Sequence, residues 1–272
     1  LAGLRRRGFT PESIRAFWVE MGISKSESII SMSVLENAVR NDLNVRAPRT
    51  MAVLDPLKVV LTNFPEGETE WFEAAIHPQN EEMGTRQVPI TREIWIERSD
   101  FMEEAPKKFF RLKPGGEVRL RNAFIVKCTH VIKSDAGEVL ELHCELDPDT
   151  RSGLPGASRK VKGTIHWVSA EHGVQAEVRL CDRLFTVPNP LADKSRDFLD
   201  FINPHSLDVI PGAVVEKSVA DGKGGDYYQF ERTGYFCHDI VDSKPGRPVL
   251  NRIVTLRDSW ARIEQELAQK KA

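Results

Sequence analysis

Glu93-Ile94-Trp95-Ile96-Glu97 decides how the chain is read. Charged ends enclose two isoleucines spaced by two, the period of a strand with one buried face. Upstream, Lys58-Val59-Val60-Leu61-Thr62 reads as a second strand, rich in β-branched residues. Downstream, strand patterns recur at 117–131, 138–145, 160–168, 174–180, 206–215, 227–236 and 249–255. Turns rich in Gly and Pro separate them, among them Pro114-Gly115-Gly116, Asp135-Ala136-Gly137 and Lys223-Gly224-Gly225. Many short strands with such turns predict β-barrels rather than a parallel α/β sheet. There are too many for one small barrel, so two are predicted.

The first 47 residues have a different period. Thr10-Pro11 predicts a helix start, with Thr as N-cap and Pro at the first helical position. Ile14, Phe17, Trp18 and Met21 follow at helical spacing, and Gly22 predicts the stop. Ser33-Val34-Leu35-Glu36 fits a capping box for the next helix, with Leu35, Val39 and Leu43 on one face. A short helical stretch is predicted at 197–202. A closing amphipathic helix is predicted from Leu256, Trp260, Ile263 and Leu267. The fold class is thus mainly β with an α-helical amino-terminal subdomain.

At roughly 150 residues per domain, 272 residues imply about two domains. Lys+Arg number 38 and Asp+Glu 40, a net charge of −2 that alone argues against a nucleic-acid partner. The distribution argues otherwise. Residues 107–127 carry Lys107, Lys108, Arg111, Lys113, Arg119, Arg121 and Lys127 against one acid, Glu117. Phe109, Phe110 and Phe124 lie among them. Alternation puts Arg119 and Arg121 on one face of a strand, where arginines can hold phosphates, stack on bases and fork onto base edges. The competing reading is a solvated strand face paired with acids. Residues 1–50 add eight cations against five acids. Gln229-Phe230-Glu231-Arg232 is a weaker candidate: Gln229 and Arg232 share a side only if a bulge or strand end lies between them.

Catalytic signatures are missing: no phosphate-binding glycine loop, no G-x-S-x-G and no H-E-x-x-H. Cys128, Cys144, Cys181 and Cys237 offer no C-x₂₋₄-C pair, so free thiols in a reducing cytosol are expected, with no metal site. No apolar run is long enough to span a membrane. The chain opens with Leu1, not Met, inside what reads as a folded segment, and a piece of a longer protein is expected.

Several stretches resemble the carboxy-terminal half of the glutaminyl-tRNA synthetase family. They include Gly3-Leu4-Arg5-Arg6-Arg7-Gly8-Phe9-Thr10, Ala47-Pro48-Arg49-Thr50-Met51-Ala52-Val53 and Glu82-Met83-Gly84-Thr85-Arg86-Gln87-Val88-Pro89. Glu117-Val118-Arg119-Leu120-Arg121-Asn122-Ala123, residues 160–168, Phe185-Thr186-Val187-Pro188-Asn189-Pro190 and Leu256-Arg257-Asp258-Ser259-Trp260 continue the match in order. The resemblance implies a helical connector at 1–47. It implies a proximal anticodon-binding barrel at 48–98 and 186–272, with a distal barrel at 99–185 inserted into it.

It also implies a partner, the glutamine tRNA, bound at its anticodon loop and inner elbow. Arg49, Gln229 and Arg232 match the pocket for the middle base, a uridine. Arg111 matches the third-base contact, and Arg119 and Arg121 the first-base contacts. Lys25 matches a position near the inner elbow. Phe110 departs from the pattern, standing where a Lys is expected beside Arg111. Ile23-Ser24-Lys25-Ser26 resembles a Lys-Met-Ser-Lys-Ser loop of class I synthetases, but no His-x-Gly-His accompanies it, so it reads as a connecting loop.

The implied parent is a cytoplasmic, monomeric glutamine–tRNA ligase that uses ATP in a catalytic domain upstream. This chain is expected to hold no cofactor and to be inactive alone. A glutamyl-tRNA synthetase of archaeal or eukaryotic type, or a free-standing RNA-binding barrel protein, stands as the alternative.

Overall fold

The computed structural model describes residues 1–22 and 29–257. Lys25 and the predicted closing helix beyond residue 257 lie outside the described residues. The chain divides into two compact units. One holds Leu1–Pro48, Glu177–Ile210 and the chain from Gly222; the other holds Arg49–Ala176 and Pro211–Asp221.

In the first unit, helices Ala2–Arg7, Pro11–Met21 and Met32–Arg46 lead the chain. The Thr10 hydroxyl caps the second helix by accepting the Ser13 N–H at 3.1 Å, and Gly22 ends it, as the sequence predicts. The third helix starts two residues earlier than the capping box places it. Ser31 is its cap, accepting the Ser33 N–H at 3.3 Å. Glu36 is instead drawn to Arg183, 3.0 Å away, and Arg7, 3.5 Å away. Two arginines offer a carboxylate more than one exposed backbone amide does.

Phe9, Val39, Leu43 and Ala47 pack against Tyr235, Cys237, Ile253 and Val254 to form this unit's core. Gly8 permits that packing. Its φ is +96°, and a Cβ there would stand 2.5 Å from the Cys237 Sγ. Strands Tyr227–Phe230, Gly234–His238 and Val249–Thr255 pair antiparallel in sequence order. Residues 177–179 of Val174–Cys181 add to Val249–Thr255 in parallel. The stretch at 197–202 is a 3₁₀ turn, Phe198–Phe201, capped by Asp197.

The second unit is built on a seven-stranded sheet. Its order is Thr164–Ile165, Glu117–Leu120, Ile125–Lys133, Val139–Asp147, Pro56–Leu61, Glu93–Glu97, Trp167–Ser169. The two end strands are separated in the chain by His166 alone, so the sheet curls until its edges nearly meet. The other seven-stranded sheet ends likewise, on Arg49–Thr50 and Ala52–Val53 with Met51 between. The architecture is thus mainly β, two near-closed barrels with a few amino-terminal helices.

Ile94 and Ile96 are buried, as their spacing requires, among Leu57, Val59, Leu142 and Trp167. Pro56–Leu61 pairs antiparallel with Glu93–Glu97 and parallel with Val139–Asp147. Strands of 48–98 thus share a sheet with strands of 99–185. Parallel pairing joins residues some 80 positions apart and leaves no local pattern.

Two runs read as single strands are hairpins. Residues 117–131 break after Leu120, where Asn122 has φ 59°, and Arg121 therefore sits in the turn rather than on the strand with Arg119. Residues 227–236 break after Phe230, where Arg232 has φ 66°. The hairpin Glu70–Ala75 with Thr85–Ile90 carries no sequence prediction. Among the described residues, no helix is long and apolar enough to cross a membrane.

Candidate nucleic-acid interface

The cationic stretch of 107–127 is surface. Lys107, Lys108, Arg111, Lys113 and Lys127 are exposed, and the four lysines have no ion pair among the described residues. Phe110, an apolar ring in the midst of them, is 49% exposed. Leu112, Val118 and Leu120 face inward and anchor the segment. The chain here is thus held by its apolar residues and presents its cations outward. Lys160 and Lys162, from the loop before Thr164–Ile165, are also exposed. Neither stands among the residues that the resemblance assigns to the tRNA, although Arg159-Lys160-Val161-Lys162 is a visible cationic run.

Arg111 is partly engaged. Its Nε lies 3.3 Å from a carboxylate oxygen of buried Asp100, and its Nη1 donates to the Ser99 carbonyl at 3.0 Å. The guanidinium also sits 5.7 Å from the centre of the Phe109 ring.

Arg119 and Arg121 do different work. The Arg119 guanidinium donates to three main-chain carbonyls: Thr150 at 3.1 Å, Ala157 at 2.9 Å and Arg159 at 3.0 Å. It holds together the loop from Pro148–Thr150 to Pro155–Ser158. Arg121, half-buried, is fixed by its backbone. Its N–H donates to the Ile165 carbonyl at 2.9 Å, and its own carbonyl accepts the Trp167 indole N–H at 3.0 Å.

The middle-base candidates divide between the units. Gln229 and Arg232 belong to the first, Arg49 to the second. The Gln229 N–H donates to the Pro48 carbonyl at 2.8 Å, and its side-chain oxygen is buried without a hydrogen-bond partner among the described residues. The strand does end at Phe230, the condition under which Gln229 and Arg232 can share a side. Arg232 is exposed in the turn, in a left-handed conformation uncommon for a residue with a Cβ. Arg49 is buried, and its N–H donates to the Ile76 carbonyl at 2.7 Å.

Burial pushes the Asp239 carboxyl upward, but hydrogen bonds from Arg6, Asn251 and the backbone of Asp242 and Val241 outweigh it. The group is held well below the usual carboxylate range. Burial pushes the Cys237 thiol up to about 12. Among the described residues no group of three or more His, Cys, Asp or Glu side chains could hold a metal ion.

In chemical terms, exposed cations around a half-open aromatic ring, carried on a barrel, suit a polyanion with unpaired bases. Two family models match the chain. Residues 47–147 and 164–239 each match "tRNA synthetases class I (E and Q), anti-codon binding domain". Similar curated proteins are glutamine–tRNA ligases. One from Cupriavidus metallidurans is 54% identical over 96% of this chain, and one from Pseudomonas putida 53% over 96%. One from Vibrio vulnificus is 54% identical over 97%. The chain belongs to this family and is an anticodon-binding domain of the glutamine–tRNA ligase kind. It spans 45% to 47% of the length of those three relatives.

Proposed function

We propose that the chain reads the anticodon of the glutamine tRNA within a longer ATP-dependent ligase that joins glutamine to that tRNA. The observation that carries the reading is the outward lysine set of 107–127 around Phe110, without ion pairs among the described residues, on a domain of an anticodon-binding family. The middle base is assigned to Arg49, Gln229 and Arg232. The buried, unpartnered Gln229 oxygen supports this, since it is an acceptor awaiting a donor such as a uridine N–H. The first base is assigned, from the resemblance, to Arg119 and Arg121, with Arg119 shaping that surface through the loop its guanidinium clamps rather than reading the base itself. Arg111 is assigned to the third base and Lys25 to the inner elbow, both from the resemblance.

The parent is read as a cytoplasmic monomer whose ATP chemistry lies outside this chain, so that the chain alone binds tRNA without activating glutamine. A glutamine-type parent is favoured over a glutamate-type one because the cited relatives are all glutamine–tRNA ligases.

Gel-shift titration with the glutamine tRNA and with single anticodon variants tests the reading. Each base contact should contribute about 1–3 kcal/mol of discrimination, and affinity should fall with salt. Equal binding to all variants with no salt dependence would sink it. Pyrophosphate exchange by the chain alone should be nil.

A further inference from the structure

Phe110 breaks the cationic run where a lysine is expected, yet a lysine is present in space. The Lys162 ammonium lies over the Phe110 ring, 5.5 Å from its centre. The two residues are 52 positions apart in sequence and are brought together by the fold.

The pairing is built in rather than incidental. Gly163 follows Lys162, and a Cβ at 163 would collide with the Phe110 carbonyl oxygen, so the two main chains are pressed together there. The Gly163 carbonyl accepts the Arg119 N–H at 2.9 Å, and the next two residues pair in parallel with Arg119 and Leu120. Lys162 therefore leaves the barrel from a fixed point two residues before its strand. Phe110 is fixed from the other side by buried Leu112, whose N–H donates to the Asp100 carbonyl at 2.9 Å.

The neighbouring cation is less free. Arg111 has its Nε and Nη1 committed to Asp100 and Ser99. Lys162 has no carboxylate partner among the described residues and is exposed.

We propose that Phe110 and Lys162 together form a specificity element for one anticodon base. The phenylalanine supplies a stacking surface and the ammonium supplies hydrogen-bond donors to the base edge. An ammonium donates and cannot accept, so the pair selects a base that presents acceptors, as a guanine O6/N7 edge does, over one presenting an amino group. The proposal rests on the anticodon-binding reading and assigns this element to the third base, beside Arg111.

The test is binding of the chain to the glutamine tRNA and to transcripts altered at the third or the middle anticodon base. The variants are Lys162→Met, Lys162→Arg, Phe110→Leu and the Phe110→Leu/Lys162→Met double. All are exposed substitutions whose folding is checked by melting. Lys162→Met should weaken binding to the unaltered tRNA about tenfold and bind third-base variants no worse than the wild-type chain does. Lys162→Arg should keep the discrimination.

Phe110→Leu should also lose about tenfold, and the double should lose less than the product of the singles. A uniform loss across all transcripts, with a salt slope lower by about one, would make Lys162 a phosphate contact and overturn the proposal. So would no loss at all. If Lys162→Met leaves third-base discrimination intact while the wild-type chain still discriminates at the middle base, the proposal fails and the anticodon reading stands. If the wild-type chain discriminates at neither base, both fail.

Discussion

Arg86 and Glu216 meet as a fork, with Nε 2.9 Å from Oε2 and Nη2 3.0 Å from Oε1. Both side chains are almost fully withdrawn from solvent, and Oε1 also accepts the Met51 N–H at 2.7 Å. The pair ties Thr85–Ile90 to the segment that follows Leu207–Val215, and both residues belong to the second unit. A half-removed pair leaves a buried charge uncompensated, which costs about 3 kcal/mol or more. Glu216→Ala should therefore lower the urea midpoint sharply at an unchanged slope. Arg86→Met with Glu216→Leu should destabilise less than either single change. A double variant that falls by the sum of the singles would contradict this account.

Asp239 predicts the acid limb of stability. Its carboxyl accepts Arg6 Nε at 2.8 Å and Asn251 Nδ2 at 2.7 Å, and it titrates below its ordinary value of 3.8. Such a group stabilises the fold fully above the unfolded value, and the stability is lost as pH falls from there through the lower folded value. Denaturant midpoints should be flat in this respect near neutrality and decline below about pH 4. Asp239→Asn should be less stable at pH 7 and show a shallower decline in acid. An acid limb unchanged by Asp239→Asn would remove this residue from the explanation.

Thiol labelling should separate the four cysteines. Cys128, Cys144 and Cys237 are buried, whereas Cys181 is half-exposed. The Cys237 thiol, pushed up to about 12 by burial, stays protonated at pH 8, and the thiolate is the reactive form. One equivalent should react quickly with an aromatic disulfide in the native state. Cys181→Ser should abolish that phase. Fast loss of two or more thiols would mean that the core holding Cys128 and Cys144 or the one holding Cys237 opens readily.

How far the sequence carries the fold depends on where the deciding contacts lie. Thr10, Pro11 and Gly22 act on their own neighbours, and the helix they predict is present. The Glu36 capping box fails because Arg183, 147 positions away, outcompetes a local amide. Both hairpins hidden within predicted strands turn on left-handed residues, Asn122 and Arg232; the single asparagine is a turn former outweighed by the apolar alternation around it, and arginine carries no turn signal. The exposed lysines of 107–127 were legible as a cluster. The face shared by Arg119 and Arg121 was not, because it assumed a strand that ends at Leu120. Nor could any local pattern reveal that carbonyls 31 to 40 residues onward hold Arg119.

Arg119 and Arg121 should consequently part company in binding experiments. Arg119 spends its two Nη groups on the Thr150, Ala157 and Arg159 carbonyls, so its removal leaves three acceptors of one loop without their shared donor. Arg119→Ala should loosen residues 148–159, seen as faster amide exchange there. It should weaken tRNA binding about equally for every first-base variant, because the surface is disturbed rather than one contact deleted. Arg119→Lys should not restore binding, since a single ammonium cannot span three carbonyls as the planar fork does. Arg121→Ala should leave exchange at 148–159 unchanged and weaken binding selectively, by about tenfold for the unaltered first base. If Arg119→Ala proves selective for the first base with loop exchange unaltered, its guanidinium must leave the loop on binding, and the clamp is not its role in the complex.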